Sequence, residues 1–131
     1  MAYTLDTSRA PLVVVRATAA VDDEAAIAAW YAGVDAFLAR NQRFVSLMDM
    51  RGAPSDATRR KRFMAFISAR KEHVRRLCIA HAGVVGSTLE RGFFTAYLWL
   101  VGDEVYVPVK LFDAELEAEA WLLAQYRQAT T

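Results

Sequence analysis

The sequence predicts a single α/β domain, residues 1–131, with a mostly parallel sheet of about five strands and an antiparallel hairpin at its start. Three observations predict it. Phe44 to Met50 is a short apolar run bounded by turn formers, which suits a strand buried on both faces. Short apolar runs of this kind alternate with longer segments whose apolar residues recur at three-and-four spacing, the period of a helix. The resulting order, ββαβαβαβα, requires crossover connections, and these are right-handed in nearly all proteins.

At the amino terminus, Tyr3 to Thr7 alternates weakly and reads as a short edge strand, Ser8-Arg9-Ala10-Pro11 as a turn. Leu12-Val13-Val14-Val15-Arg16 is a β-branched run and a strand, so the two runs form a hairpin. Asp22 or Asp23 caps the first helix, and Glu24 in its first turn suits the helix dipole. Ile27, Trp30, Tyr31, Val34, Phe37 and Leu38 make its apolar stripe, which runs to about Arg40. Aromatics at this spacing are core. Asn41-Gln42 ends the helix, and the central strand comes next.

That strand stops at Gly52-Ala53-Pro54-Ser55-Asp56, a cluster of turn formers. Pro54 keeps Ala53 out of the helical region, and Ser55 or Asp56 caps the second helix. This helix is expected from about Ala57 to Arg76, packing through Phe63, Phe66, Ile67 and Val74. Leu77 to Val85 is the next strand. Ser87-Thr88-Leu89-Glu90 has the capping-box pattern and opens a helix to about Val101. That helix is apolar nearly all round. Leu89, Phe93, Ala96 and Leu100 form one stripe, Phe94, Leu98 and Val101 another, with Trp99 on a third side. One face suits the sheet, and the rest needs a neighbouring helix, a second subunit or an apolar ligand. Val105 to Phe112 holds the last strand, which Pro108 limits to an edge or to Val109 onwards. Asp113 is expected to cap the final helix, with Leu116, Ala120, Leu123 and Ala124 lining one face and Glu115, Glu117 and Glu119 placed for the dipole.

Composition narrows the function classes. The formal net charge is +1, which gives no whole-molecule reason to expect nucleic acid or an anionic membrane. The aromatics of the basic second helix share its core stripe and no groove-reading motif is present, so nucleic acid is not expected. Cys78 is the only cysteine, which fits a reducing compartment, and it sits in an apolar run as a buried, unreactive thiol. Arg16 interrupts the one stretch that resembles a signal peptide, and no stretch approaches ~20 uncharged apolar residues. A cytoplasmic protein without a transmembrane segment is expected. His73 and His81 are the only histidines, and no ligand spacing supports a metal or other cofactor. Gly83-Val84-Val85-Gly86-Ser87 lacks the Lys of a P-loop and reads as glycines for a tight turn. Ser87 and His81 have no nucleophile elbow and no orienting acid, so an enzyme is not expected.

With its elements in this order, the chain resembles a STAS domain, the fold of bacterial anti-sigma-factor antagonists, to which lipid-carrying CRAL-TRIO domains are related in architecture. The resemblance covers nearly the whole chain as an element order. Its best local carriers are Val45-Ser46-Leu47-Met48-Asp49-Met50-Arg51-Gly52 and the ending Asp113 to Leu122. It implies a non-catalytic regulatory module that binds a protein. Antagonists of the family are switched by phosphorylation of a Ser in an Asp-Ser-Ser-Gly motif at the start of the helix after this strand. The matching stretch here is Asp56-Ala57-Thr58-Arg59, with Thr58 near the phosphoacceptor position and Arg59-Arg60-Lys61-Arg62 replacing the Gly and the small residues.

Those four cations are the sharpest anomaly in the chain. They occupy the opening turns of a helix, where the dipole favours acids. Asp49, Arg51, Ser55, Thr58, Arg59 and Arg60 are therefore the candidate anion or partner site, beyond the carboxyl end of the central strand. The anionic group would belong to a phosphorylated partner, a nucleotide, a lipid head group or an acidic protein surface. The bland alternative is that the cations pair with the chain's own acids, around Asp22 to Glu24 or on the last helix. A second functional reading is a carrier or sensor of a small apolar or amphipathic ligand. There Phe94, Tyr97, Leu98 and Trp99 would line a pocket; in an interaction module they would meet a protein partner or a second copy in a homodimer.

Overall fold

The computed structural model describes residues 2–18, 24–51, 57–88, 91–92, 95 and 107–131, without the side chains of 2, 17, 18, 57–60, 63 and 64. Its elements are β1 (Ala2–Asp6), β2 (Leu12–Thr18), α1 (Glu24–Leu38), β3 (Phe44–Asp49), α2 (Ala57–Ala69), α3 (Lys71–Leu77), β4 (Cys78–Val84), β5 (Val109–Phe112) and α4 (Glu115–Thr130). The five strands form one sheet in the order β1-β2-β3-β4-β5. β1 runs antiparallel to β2, and every later neighbour is parallel. The α/β class, the N-terminal hairpin and the parallel remainder are as the sequence predicts.

Strand order equals chain order, so each parallel crossover steps the same way. Crossovers of one hand then place their helices on one face. α1, α2 and α3 accordingly share a face. Val13, Phe37, Leu38, Phe44, Leu77 and Cys78 pack together there, and Val15, Trp30 and Phe66 form a second cluster. α4, which follows β5, covers the other face. Leu12, Val14, Val45, Leu47, Ala80, Ala82, Val84 and Phe112 meet Ala118 and Leu122 of α4 there. With helices on both sides, β3 is buried through almost its whole length, which is why its sequence is a continuous apolar run.

Side chains alternate across a strand. Leu12 and Val14 of β2 face α4, so Arg16 does too. Val45 and Leu47 of β3 face α4, so Asp49 does too. Arg16 and Asp49 are also direct neighbours in the parallel register. The fold thus sets one cation and one carboxylate side by side where the core face reaches the carboxyl end of the sheet.

α1 ends at Leu38, and Asn41 then takes a left-handed conformation (φ 55°) while its N–H donates to the Leu38 carbonyl. Asn tolerates that region better than most residues. Trp30, Phe37 and Leu38 of the predicted stripe are buried, and Ile27, Tyr31 and Val34 half-buried.

Several expectations are corrected. The helix predicted from Ala57 to Arg76 is two helices, broken at Arg70 (φ −112°, ψ 12°). The Arg70 N–H donates to Ile67, three residues back, and the Phe66 carbonyl accepts from Arg70 Nη1 instead. The guanidinium also lies 3.5 Å from the Phe66 ring centroid and forms a two-pronged ion pair with Asp35 of α1. These contacts replace the helical ladder at that point. Leu77 closes α3 rather than opening β4.

Asp113 does not cap the last helix. Ala114 is the N-cap residue and makes no side-chain cap, while Asp113 accepts from Arg91 Nη2 at 2.7 Å. The apolar stripe expected on α4 is buried only in part. Leu123 packs half-buried against the core and Ala124 is half-buried, whereas Leu116 is 80% exposed and Ala120 exposed; the fully buried residues are Ala118 and Leu122. Gly83 belongs to β4 and not to a turn. A Cβ there would come within 2.8 Å of Leu111 Cδ2, so the glycine lets β5 pack closely. β5 begins right after Pro108, at the sheet edge, as the proline requires. Of the helix expected over 88–101, Thr88, Arg91, Gly92 and Thr95 are helical, and the remainder of that stretch lies outside the described residues.

Candidate functional site

The site is built where β2 and β3 end and α4 begins. Arg16 leaves β2 toward α4 and meets two carboxylates. Its Nη1 donates to Asp49 Oδ2 at 2.8 Å and to Glu115 Oε2 at 2.9 Å, and its Nη2 donates to Glu115 Oε1. Arg51, two residues past the end of β3, closes the group. Its Nε and Nη2 donate to the two oxygens of Asp49, both at 2.9 Å, and its backbone N–H donates to Asp49 Oδ1 at 3.1 Å. Arg51 Nη2 also donates to Glu115 Oε2 at 3.1 Å. Two guanidinium groups and two carboxylates therefore form one closed, neutral network.

Each charge in it is stabilised by its opposite-charge partners. The Arg51 side chain, helped by its backbone N–H and by Arg16, holds the Asp49 carboxyl below its ordinary value against the opposing effect of burial. Arg16 does the same for Glu115. Glu115 in turn raises Arg16, and Asp49 raises Arg51. Charge-assisted, two-pronged pairs of this kind are the stronger class of hydrogen bond. The two arginine side chains nevertheless remain 42% and 41% exposed, so the network lies at the surface and within reach of solutes.

Of the predicted site residues, Asp49 and Arg51 are brought together, and Arg51 is balanced by Asp49 and by Glu115 of the last helix. Thr58, Arg59 and Arg60 lie in the first turn of α2, and their side chains are not among the described ones; Ser55 lies outside the described residues. Further along α2, Lys61 and Arg62 are exposed, and Arg62 comes within 3.7 Å of Glu24. No acidic residue occupies the first turn of α2. Phe94, Tyr97, Leu98 and Trp99 lie outside the described residues.

Sequence reasoning missed Arg16 and Glu115. Arg16 did carry a signal: it is the one charge in an otherwise uncharged strand. A cation there needs a partner at the end of a neighbouring strand or helix, and Asp49 is that partner.

The other titratable group of interest is Cys78 with His81 on β4. Cys78 Sγ lies 3.6 Å from His81 Nε2 and approaches the Ala80 carbonyl at 3.4 Å. Burial pushes the thiol up to about 12 and the imidazole down to about 4. Both are neutral near pH 7, so the pair is not the thiolate and imidazolium that a cysteine nucleophile needs. Among the described residues, no group of three or more His, Cys, Asp or Glu is placed to hold a metal ion, and no helix is long and apolar enough to cross a membrane.

Comparison of the chain with protein-family models, with curated proteins and with solved structures gave no significant match.

Proposed function

We propose that the protein is a non-catalytic, STAS-type regulatory module that binds an anionic or phosphorylated protein partner through residues 51–62. The observation that carries the reading is the charge pattern of α2. Four consecutive cations occupy its opening turns, its first turn contains no acid, and the helix starts beyond the carboxyl end of the central strand. Exposed cations at that pole are unfavourable for the isolated helix by about 0.3–1 kcal/mol each, and an anion docked there offsets this. Arg51 at the strand exit is already balanced by Asp49 and Glu115, so the reading rests on the cations of α2 themselves.

Charge reversal tests it. Arg59→Glu with Arg60→Glu is expected to weaken binding of a phosphoserine peptide by about tenfold or more at low salt, with the loss shrinking as salt is added. Equal affinity of wild type and variant, measured by calorimetry, would remove the reading.

A further inference from the structure

We infer that Arg16 and Arg51 form a two-guanidinium receptor for a phosphate group, and that Glu115 of α4 is an internal competitor occupying it. The inference rests on the proposed function for its ligand class and adds a second, gated contact to it.

Three features carry it. The Glu115 carboxylate accepts three N–H bonds from two different arginines: Nη1 and Nη2 of Arg16 and Nη2 of Arg51. That is the fork geometry with which guanidinium groups hold oxyanions, and phosphate oxygens satisfy it as well as carboxylate oxygens do. Asp49 fixes the receptor independently of Glu115. It accepts from Arg16 Nη1, from Arg51 Nε and Nη2 and from the Arg51 backbone, so both guanidinium groups keep an anchor when Glu115 leaves. With Glu115 withdrawn, two cations face one remaining anion, and the group carries a net positive charge.

Glu115 is also placed to leave. It is the first residue of α4, and the N-cap, Ala114, makes no side-chain hydrogen bond to hold that turn. The first core residue of the helix is Ala118, one turn on. Withdrawal of Glu115 therefore opens one uncapped turn and leaves the packing of Ala118 and Leu122 in place. Because each arginine side chain is about two-fifths exposed, a solute reaches the site without unfolding.

If Glu115 fills the receptor in about 90% of molecules, an external phosphate loses about tenfold in apparent affinity. Glu115→Gln removes the competing charge. It is expected to bind inorganic phosphate and a phosphoserine peptide about tenfold more tightly than wild type in calorimetry, and Arg16→Gln in the same background to cancel the gain. Coupling is reciprocal, so phosphate added to wild type should speed amide hydrogen exchange at Ala118, whose N–H donates to the Ala114 carbonyl at 3.3 Å across that turn. A Glu115→Gln protein that binds no more tightly than wild type overturns the inference, as does a gain that survives loss of Arg16. Should Glu115→Gln fail to fold, Glu115→Asp, which keeps the charge but shortens its reach, is read by the same criteria. The two proposals fail separately. Indifference of the wild type to Arg59 and Arg60 reversal removes the α2 contact, while absence of a gain in Glu115→Gln removes the gated receptor. A gain for free phosphate alone, without one for the peptide, overturns the peptide as its ligand.

Discussion

Arg16 is the residue on which most of the surface chemistry turns. It sits in a strand whose other described side chains are aliphatic, and alternation sends it to the face that α4 covers. There it bridges Asp49 and Glu115, residues 33 and 99 positions away in the chain. The consequence for stability has a definite sign. Asp49 and Glu115 are both held below their ordinary values of 3.8 and 4.5. Carboxylates with lowered folded-state values contribute stability that is complete above the unfolded values and is lost as pH falls through the folded ones. Replacing Arg16 by Met should therefore lower stability at pH 7 by about 1 kcal/mol, a figure kept small because the guanidinium is partly exposed and screened. The difference between wild type and variant should narrow as pH falls below the ordinary carboxylate range and vanish only once the lowered folded-state values of Asp49 and Glu115 are passed. Urea midpoints across that range check it, and a gap independent of pH would show that the network contributes nothing through charge.

Element by element, the sequence was most informative where burial is on both faces and least where long-range ion pairs decide orientation. The continuous apolar run of β3, the stripe of α1 and the short β5 after Pro108 were all legible, since each arises from local pattern. The face of α4 was not. Leu116, Ala120, Leu123 and Ala124 obey helical spacing, yet Ala118 and Leu122 are the buried pair. Glu115 and Glu119 share the inward side because Arg16 and Arg9 draw them there, Arg9 donating to both oxygens of Glu119 at 2.8 and 3.1 Å. Acids at a helix start have a sufficient local reason in the dipole, so nothing in the sequence pointed them at arginines near the other end of the chain. The break at Arg70 was hidden for the same reason, since no Gly or Pro marks it and Asp35 lies 35 residues away. The rotation of α4 has a direct test. Leu122→Ala should cost about 3 kcal/mol, as a fully buried leucine in a packed core does, and Leu116→Ala should stay within about 0.5 kcal/mol. Comparable losses at the two positions, read from chemical denaturation, would mean that the helix sits the other way round.

For the whole molecule, a sheet whose strand order equals its chain order has a consequence for function. Open α/β sheets usually bind ligands at the point where strand order reverses. No such reversal occurs among the described strands, so no crevice arises from the winding itself. What distinguishes the carboxyl end of this sheet is charge: the neutral Arg16, Asp49, Arg51 and Glu115 network at the rim, and the basic opening of α2 beyond it. Within the first, Arg16 was hidden from the sequence, while the Arg51 pair with Glu115 is the pairing with the last helix that the bland alternative expected; the second was the sequence's sharpest anomaly. Together they make the exit of β3 the place where an acidic or phosphorylated partner is expected to dock. A two-dimensional amide NMR titration of the wild-type protein, with a phosphoserine peptide and with its unphosphorylated form, tests that docking directly. Shifts concentrated in residues 50–62 with the phosphorylated peptide alone are expected, and shifts confined to other surfaces, or equal responses to the two peptides, would contradict it.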